Sequence, residues 1–271
     1  MSAIIPRDSV LALVLGMPIE GWHGWDDYAP FYDWENARTV GRRDVPFWRA
    51  LAVEAGGPAL ELGCGTGRIA CPVAAEVDRL VGIDRSAPML ARLRRRRSRR
   101  GLGPRLHLIR GDIRFLPFAP GSFQLVMAPY GVLQSLLRDR DLRETLRAVR
   151  TVLRPGGRFA IDLVPDLKNW REYEHRVSMR GRRRGSQTQV TLVETVRQDP
   201  DRRLTHFDQE FIERRGRRST AHRFSLSFRT LSVRQMSARL RRAGFAVRSV
   251  AGDYQGGAWH PESETWVMVA T

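Results

Sequence analysis

The chain has 271 residues, 42% of them hydrophobic, which lies in the globular range and suffices for one α/β domain with a sizeable insertion. Its two cysteines, Cys64 and Cys71, suit neither a zinc cluster nor a disulfide framework, so no metal site is expected and a reducing cytoplasm is. The net charge of +17 invites a nucleic-acid reading, but Lys168 is the only lysine, and such an arginine skew is what a GC-rich genome writes into any protein.

In chain order, the apolar run 10–15 is too short to span a bilayer. It reads as a short helix capped by Asp8 or Ser9 and stopped by Gly16 and Pro18, with a signal peptide as the alternative; no membrane partner is expected. An aromatic, acidic stretch over 21–36 follows. It leads into a helix that Asp44 can cap, with Pro46 in its first turn.

The apolar strand at Ala59 to Leu62 then runs into Gly63, Gly65 and Gly67. Glycine there lets the chain turn sharply and lets a ligand lie against bare backbone. A helix is expected over 69–77, with its free N–H groups toward that ligand. A second strand, 79–83, ends in Asp84, about twenty residues on, where a Rossmann-type unit places the carboxylate that binds a ribose. Ser86 caps the next helix, whose arginine-rich end (Arg92 to Arg100) reads as a solvated helix terminus. A third strand, 106–110, leads into Gly111-Asp112-Ile113. A fourth, within 122–130, runs through Met127 and Ala128 to Tyr130. A helix at 138–153 carries apolar residues three to four apart, and Leu153-Arg154-Pro155-Gly156-Gly157 announces a fifth strand, 159–163.

From 164 to 229 the period changes to two. Strands are expected over 189–196, 204–212 and 222–229, with a turn at 198–202. Ser232 and Gln235 form a capping box before a last helix, and 245–250 with 264–270 read as a closing hairpin.

This ordered set resembles the class I S-adenosylmethionine-dependent methyltransferases. It covers 28–163 well and 231–271 acceptably. The resemblance implies an α/β fold, with a Rossmann-like seven-stranded, mostly parallel sheet, helices on both faces and an antiparallel β insertion after strand five. The segments would be an N-terminal helical cap over 1–55, a cofactor-binding core over 56–163, a β lid over 164–229, and a C-terminal helix and hairpin over 230–271. Glycine N-methyltransferases and deoxysugar N-methyltransferases carry a similar lid at this point.

The implied cofactor is S-adenosylmethionine. Glu61, Gly63, Gly65 and Gly67 would border its methionine end, and Asp84 would take the ribose hydroxyls. Arg85 and Met89 would flank the adenine, Asp112 and Ile113 would read its edge, and Met127 and Ala128 would sit behind the sulfonium. Cys64 stands in the same loop, where the family has an unremarkable residue, so packing is expected of its side chain. Tyr28 and Tyr32 either close over the cofactor or pin the N-terminal helix to the core.

The implied function is methyl transfer to N or O of a small metabolite by in-line displacement. An RNA or protein methyltransferase and a non-catalytic cofactor-binding protein are the alternatives. Candidate bases are His206 and Asp208, two apart on one strand, with His175 and Tyr130. A small-molecule acceptor is the expected partner; the insertion could also carry a homodimer contact.

Overall fold

The computed structural model describes residues 21–39, 41–163 and 172–271. The helix expected at 10–15 and the first residues of the insertion, 164–171, lie outside them. The described elements begin with α1 (Trp25–Asn36), α2 (Val45–Ala55), β1 (Ala59–Leu62), α3 (Ala70–Ala74), β2 (Leu80–Asp84) and α4 (Ala87–Arg99). Then come β3 (Leu106–Arg110), β4 (Phe123–Ala128), a 3-10 turn (Val132–Ser135), α5 (Asp139–Val152) and β5 (Leu153–Leu163). Four long strands follow: β6 (Tyr173–Arg182), β7 (Gln189–Asp199), β8 (Leu204–Arg215) and β9 (Arg218–Arg229). The chain closes with α6 (Val233–Arg242), β10 (Val247–Ala251) and β11 (Trp266–Ala270).

The described residues fall into two compact units, one within 1–41 and 167–230, the other within 42–166 and 231–271. The larger unit holds a seven-stranded sheet in the order β10-β11-β5-β4-β1-β2-β3. Strands β1 to β5 pair in parallel, and β11 runs antiparallel to both of its neighbours. The two-residue period of a strand sorts its side chains to two faces. Leu60, Leu62, Val126, Ala128, Phe159 and Ile161 face a layer with Leu142, Leu146 and Val149 of α5 and Met236 and Leu240 of α6. Ala59, Leu125, Met127 and Ala160 face the other way, against α2, α3 and α4, through Trp48, Leu51, Val73, Leu90 and Leu93. This is the expected Rossmann-like sheet covered by helices on both sides.

The smaller unit is the antiparallel sheet β6-β7-β8-β9 with α1 laid on it. Val190, Leu192, Glu194 and Val196 alternate inward along β7, as period two demands. Phe31 stacks on Phe211 at 4.4 Å, Tyr28 tilts against Phe224 at 5.3 Å, and Trp25 meets Phe228 edge-on at 6.2 Å. Gly24, at φ 85°, lets α1 begin close to β9; a Cβ there would lie 2.8 Å from the Ser225 carbonyl oxygen.

Several local expectations change. The 1–55 segment is divided: α1 belongs with the four-stranded sheet and α2 with the larger unit. Strand β6 lies outside the sequence reading because it is a charged edge strand, paired with β7 through two register shifts. The helix expected over 69–77 is only the five residues of α3, too short for a strong terminal dipole. Asp44 occupies the N-cap position of α2 but makes no cap bond, because its carboxylate is taken by an arginine. The caps at Ser86 and Ser232 form as read: Met89 N–H donates to Ser86 Oγ at 3.2 Å, and Ser232 and Gln235 bond reciprocally.

Candidate functional site

The glycine loop follows β1, and its three glycines have different work. Gly63, Gly65 and Gly67 all have positive φ, at 63°, 51° and 83°. A Cβ on Gly63 would meet Val132 Cγ2 at 2.3 Å, so this residue seats the turn after β4 on the loop. On Gly67 it would meet Leu93 Cδ1 at 2.2 Å, so this one admits α4. On Gly65 the nearest atom is the Gly63 carbonyl oxygen at 3.9 Å, which leaves open space above the backbone. Gly67→Ala is therefore expected to lose about 2 kcal/mol of stability through overpacking, read as a lower denaturant midpoint with unchanged slope. A loss below about 0.5 kcal/mol would show that α4 yields without cost.

Asp84 fastens this loop. Its carboxylate accepts from the Gly65 N–H at 2.7 Å and the Ser86 N–H at 2.8 Å. Beyond β3, Asp112 accepts from Arg114 at 2.7 Å and Arg85 at 3.0 Å. Burial pushes the Asp112 pKa up, but the hydrogen bonds and charge of Arg114, with Arg85, hold it below the ordinary value. Arg114 also reaches the buried Asp141 at 3.0 Å. Ile113 is half-buried against the apolar layer under α5, and Met89 is buried. Met127 and Ala128 are fully buried at the end of β4.

Glu61 is the unusual member. It lies on the α2–α3–α4 face, paired in register with Met127, and is 2% exposed. Its Oε2 is buried with no hydrogen-bond partner. Burial drives its pKa well up; Arg68 opposes this, while Asp84 and Asp44 reinforce it. Arg68 itself is held by Asp44 through two hydrogen bonds, of 2.5 and 2.7 Å, with the Asp44 side chain fully buried. The Arg68 guanidinium also lies 4.9 Å from the Tyr130 ring centroid. Cys64 packs its sulfur on Gly82, and burial first, then Asp84 and Glu61, push its thiol pKa well up, so it is an inert packing residue.

The structure therefore brings Glu61, Gly63, Cys64, Gly65, Gly67, Asp84, Arg85, Met89, Asp112, Ile113, Met127, Ala128 and Tyr130 into the larger unit. Tyr28, Tyr32, His175, His206 and Asp208 belong to the smaller one. There Tyr28 and Tyr32 are buried against aromatic neighbours, and the Tyr28 hydroxyl donates to Glu35 at 2.7 Å, so in this unit they hold α1 to the four-stranded sheet. His206 and Asp208 do share one face of β8. His206 Nδ1 bonds the Ser227 hydroxyl at 2.8 Å, and Asp208 pairs with Arg197 and accepts from Ser225. Burial and Arg197 lower the His206 pKa, so it is neutral at pH 7. Two residues that sequence reasoning missed are Asp162 and Tyr254. Asp162 is buried near the end of β5 and accepts from the Tyr254 hydroxyl at 2.6 Å. Its only local signal is a carboxylate inside an apolar strand.

A parallel sheet with a glycine loop at the carboxyl end of β1 and an acid at the end of β2 defines a nucleoside-cofactor fold. Comparison with known proteins points the same way. Residues 59–157 match a family model described as a methyltransferase domain. A 2-phytyl-1,4-naphtoquinone methyltransferase of Thermosynechococcus vestitus is 35% identical over 142 residues, covering 49% of this chain and 59% of its own length. The chain thus spans little more than half of that curated relative. Among solved structures, the CcbJ methyltransferase of Streptomyces caelestis superposes with TM-score 0.75 at 22% identity, covering 91% of this chain and 96% of that one. A sugar N-methyltransferase of Streptoalloteichus does so at 0.70 and 16%, covering 88% and 92%. Over residues 59–157 the chain carries a methyltransferase domain, and it is similar to S-adenosylmethionine-dependent methyltransferases in sequence and in fold. Two features of the loop are compatible with S-adenosylmethionine: the buried Glu61 Oε2 has no partner and would suit a cationic amine, and Gly65 leaves the backbone open. No helix among the described residues is long and apolar enough to cross a membrane.

Proposed function

We propose that this protein transfers the methyl group of S-adenosylmethionine to a nitrogen or oxygen of a small metabolite. The observation that carries the donor half is the unpartnered Glu61 Oε2 beside the glycine loop. A buried acid with an unpartnered oxygen offers nothing to the pyrophosphate of a dinucleotide, whereas the ammonium of a methionine would favour its ionisation and pair with it. Asp84 would take the ribose hydroxyls, Asp112 and Ile113 the adenine edge, Arg85 and Met89 its faces, and Met127 and Ala128 the space behind the sulfur.

The donor supplies its own activation as a sulfonium, so the protein's contribution is alignment of acceptor, methyl and sulfur. If the acceptor arrives protonated, Tyr130, His206 and Asp208 are the candidate bases, each to be tested on its own. The matched relatives include quinone methyltransferases, and the fold neighbours include a sugar N-methyltransferase; both support a small acceptor. The arginine-rich α4 is partly engaged in the fold, with Arg97 donating to the Leu106 carbonyl at 2.9 Å, which favours this reading over an RNA substrate.

Calorimetry is expected to find binding of S-adenosylmethionine and weaker or no binding of NAD. Asp84→Ala, which removes a charged acceptor, should cost about 1.5–3 kcal/mol of affinity, or roughly tenfold to a hundredfold. Tighter binding of NAD would sink the donor assignment. A metabolite panel with the bound donor then tests the acceptor class.

A further inference from the structure

Asp162 is a buried carboxylate at the carboxyl end of β5 whose two oxygens serve two distant segments. Oδ1 accepts from the Gly131 N–H at 3.0 Å, and Oδ2 from the Tyr254 hydroxyl at 2.6 Å. The turn it holds is strained. Tyr130 sits at φ 58° and Gly131 at φ 63°, and a left-handed conformation costs a tyrosine about 1–2 kcal/mol. Next along the chain, Val132 is the residue that fills the place of a Cβ on Gly63. Arg68, fixed by Asp44, lies over the Tyr130 ring. Tyr254 comes from the loop between β10 and β11 and has Phe47 of α2 6.1 Å away, centroid to centroid. A chain of contacts thus runs from the closing hairpin, through Asp162, to the turn that rests on the donor loop.

We propose that Asp162 and Tyr254 latch the Tyr130–Gly131 turn in the shape that seats the methyl end of the donor, as positioning residues rather than catalytic ones. The proposal rests on the donor reading above. A buried charge served by two neutral donors is an expensive anchor, which an asparagine would match in shape without ionising. The charge has a use if what is seated beside the turn is a cation, as a sulfonium is.

The groups facing Asp162 are Tyr254, the Gly131 amide, Asp44 and Arg68. Burial, the largest influence, raises its pKa to about 6, against the bonds from Tyr254 and Gly131. The latch charge is therefore present above about pH 6 and lost below it. Above that pH the charge costs folding stability, since an acid whose pKa is raised in the folded state destabilises once ionised.

The test is S-adenosylmethionine affinity by calorimetry between pH 5 and 7.5, with hydrogen exchange of the Gly131 amide. In the parent, affinity is expected to fall about tenfold toward pH 5 with a midpoint near 6. Tyr254→Phe removes a donor from the carboxylate, so the midpoint should move up and Gly131 should exchange faster. Asp162→Asn should bind several-fold more weakly at pH 7.5, lose this acid limb, and be no less stable than the parent. The Tyr254→Phe shift also separates Asp162 from Glu61, whose raised pKa is set by burial, Arg68, Asp84 and Asp44 rather than by Tyr254. Parent affinity flat across this range, or an unmoved midpoint in Tyr254→Phe, would overturn the latch. A parent that binds no S-adenosylmethionine at any pH overturns the donor reading. The latch is then judged on Gly131, whose protection must fall with acid in the parent and not in Asp162→Asn.

Discussion

Asp44→Ala is expected to destabilise the larger unit by about 3–5 kcal/mol, the usual cost of leaving one member of a buried ion pair alone. The Asp44 side chain is fully buried and that of Arg68 is 12% exposed. Their two hydrogen bonds form a fork in which both oxygens of the carboxylate are used. Glu61 is under the influence of both: Arg68 opposes the rise of its pKa and Asp44 adds to it. It can ionise once Asp44 is gone, which sets the loss toward the lower end of that range. The guanidinium would also leave its place over Tyr130, so donor affinity should fall with stability. A paired control isolates the cause. Combining Asp44→Ala with Arg68→Met removes both charges, and the double variant should be about as stable as Asp44→Ala or more so. Denaturant unfolding measures each arm. A single-variant loss under about 1 kcal/mol, or losses that simply add, would mean the pair contributes nothing as a pair.

The core was legible because its strands are short apolar runs closed by glycine or an acid. The position of Asp84 at the end of β2 could be read from spacing, that of Asp112 just past β3 from the run Gly111-Asp112-Ile113, and Ser86 and Ser232 from their cap chemistry. What stayed hidden depends on partners far along the chain. Asp44 reads as a cap because aspartate is good at that position, but an arginine 24 residues on offers a charged bidentate partner, and the charge wins. Asp162 and Tyr254 are 92 residues apart, and nothing local to either announces the other. Strand β6 carries Glu174, His175, Arg176, Arg180 and Arg182, and its apolar Tyr173, Val177 and Met179 are interrupted by His175 and none is buried, so its period is weak.

The same cause explains the division of the N-terminal segment. Read alone, the aromatic stretch over 21–36 does not say which surface its helix covers. The surface it covers is made by Phe211, Phe224 and Phe228 of β8 and β9. Sheet and helix form one layer pair, joined across some 180 residues of sequence. Removing residues 185–229 would therefore strip α1 of its covering, and a trimmed chain would fail for reasons unconnected with an acceptor. Point changes within the unit are the better probe.

The most telling of these is Glu35→Gln. Glu35 lies in the last turn of α1, with Oε2 accepting from Tyr28 at 2.7 Å and Oε1 from Gln209 at 3.3 Å. The same Gln209 nitrogen donates to Glu194 at 2.8 Å, and Glu194 also accepts from Tyr173 and Ser178. Neither glutamate has a salt bridge among the described residues. Burial raises the Glu35 pKa from 4.5 to about 7; the Tyr28 bond works against it, and the Glu194 charge adds to it. Between those two pH values the folded chain keeps a proton that the unfolded chain has released, so stability falls as pH rises. Integrated over the window, the loss is about 3 kcal/mol, complete above pH 7. Glutamine has no proton to lose, so the variant should show no such fall. Its own amide must be accommodated, and the buried Gln209 Oε1, which has no partner, can accept from it if the Gln209 amide turns over. That rearrangement takes a donor from Glu194 and offsets about 1 kcal/mol of the gain. Glu35→Gln should therefore be less stable than the parent at pH 4.5 and more stable at pH 8. Hydrogen exchange of the amides in β7 and β8 reads this unit directly. Parallel curves for parent and variant across pH 4.5 to 8 would show that Glu35 does not hold its proton in the folded chain.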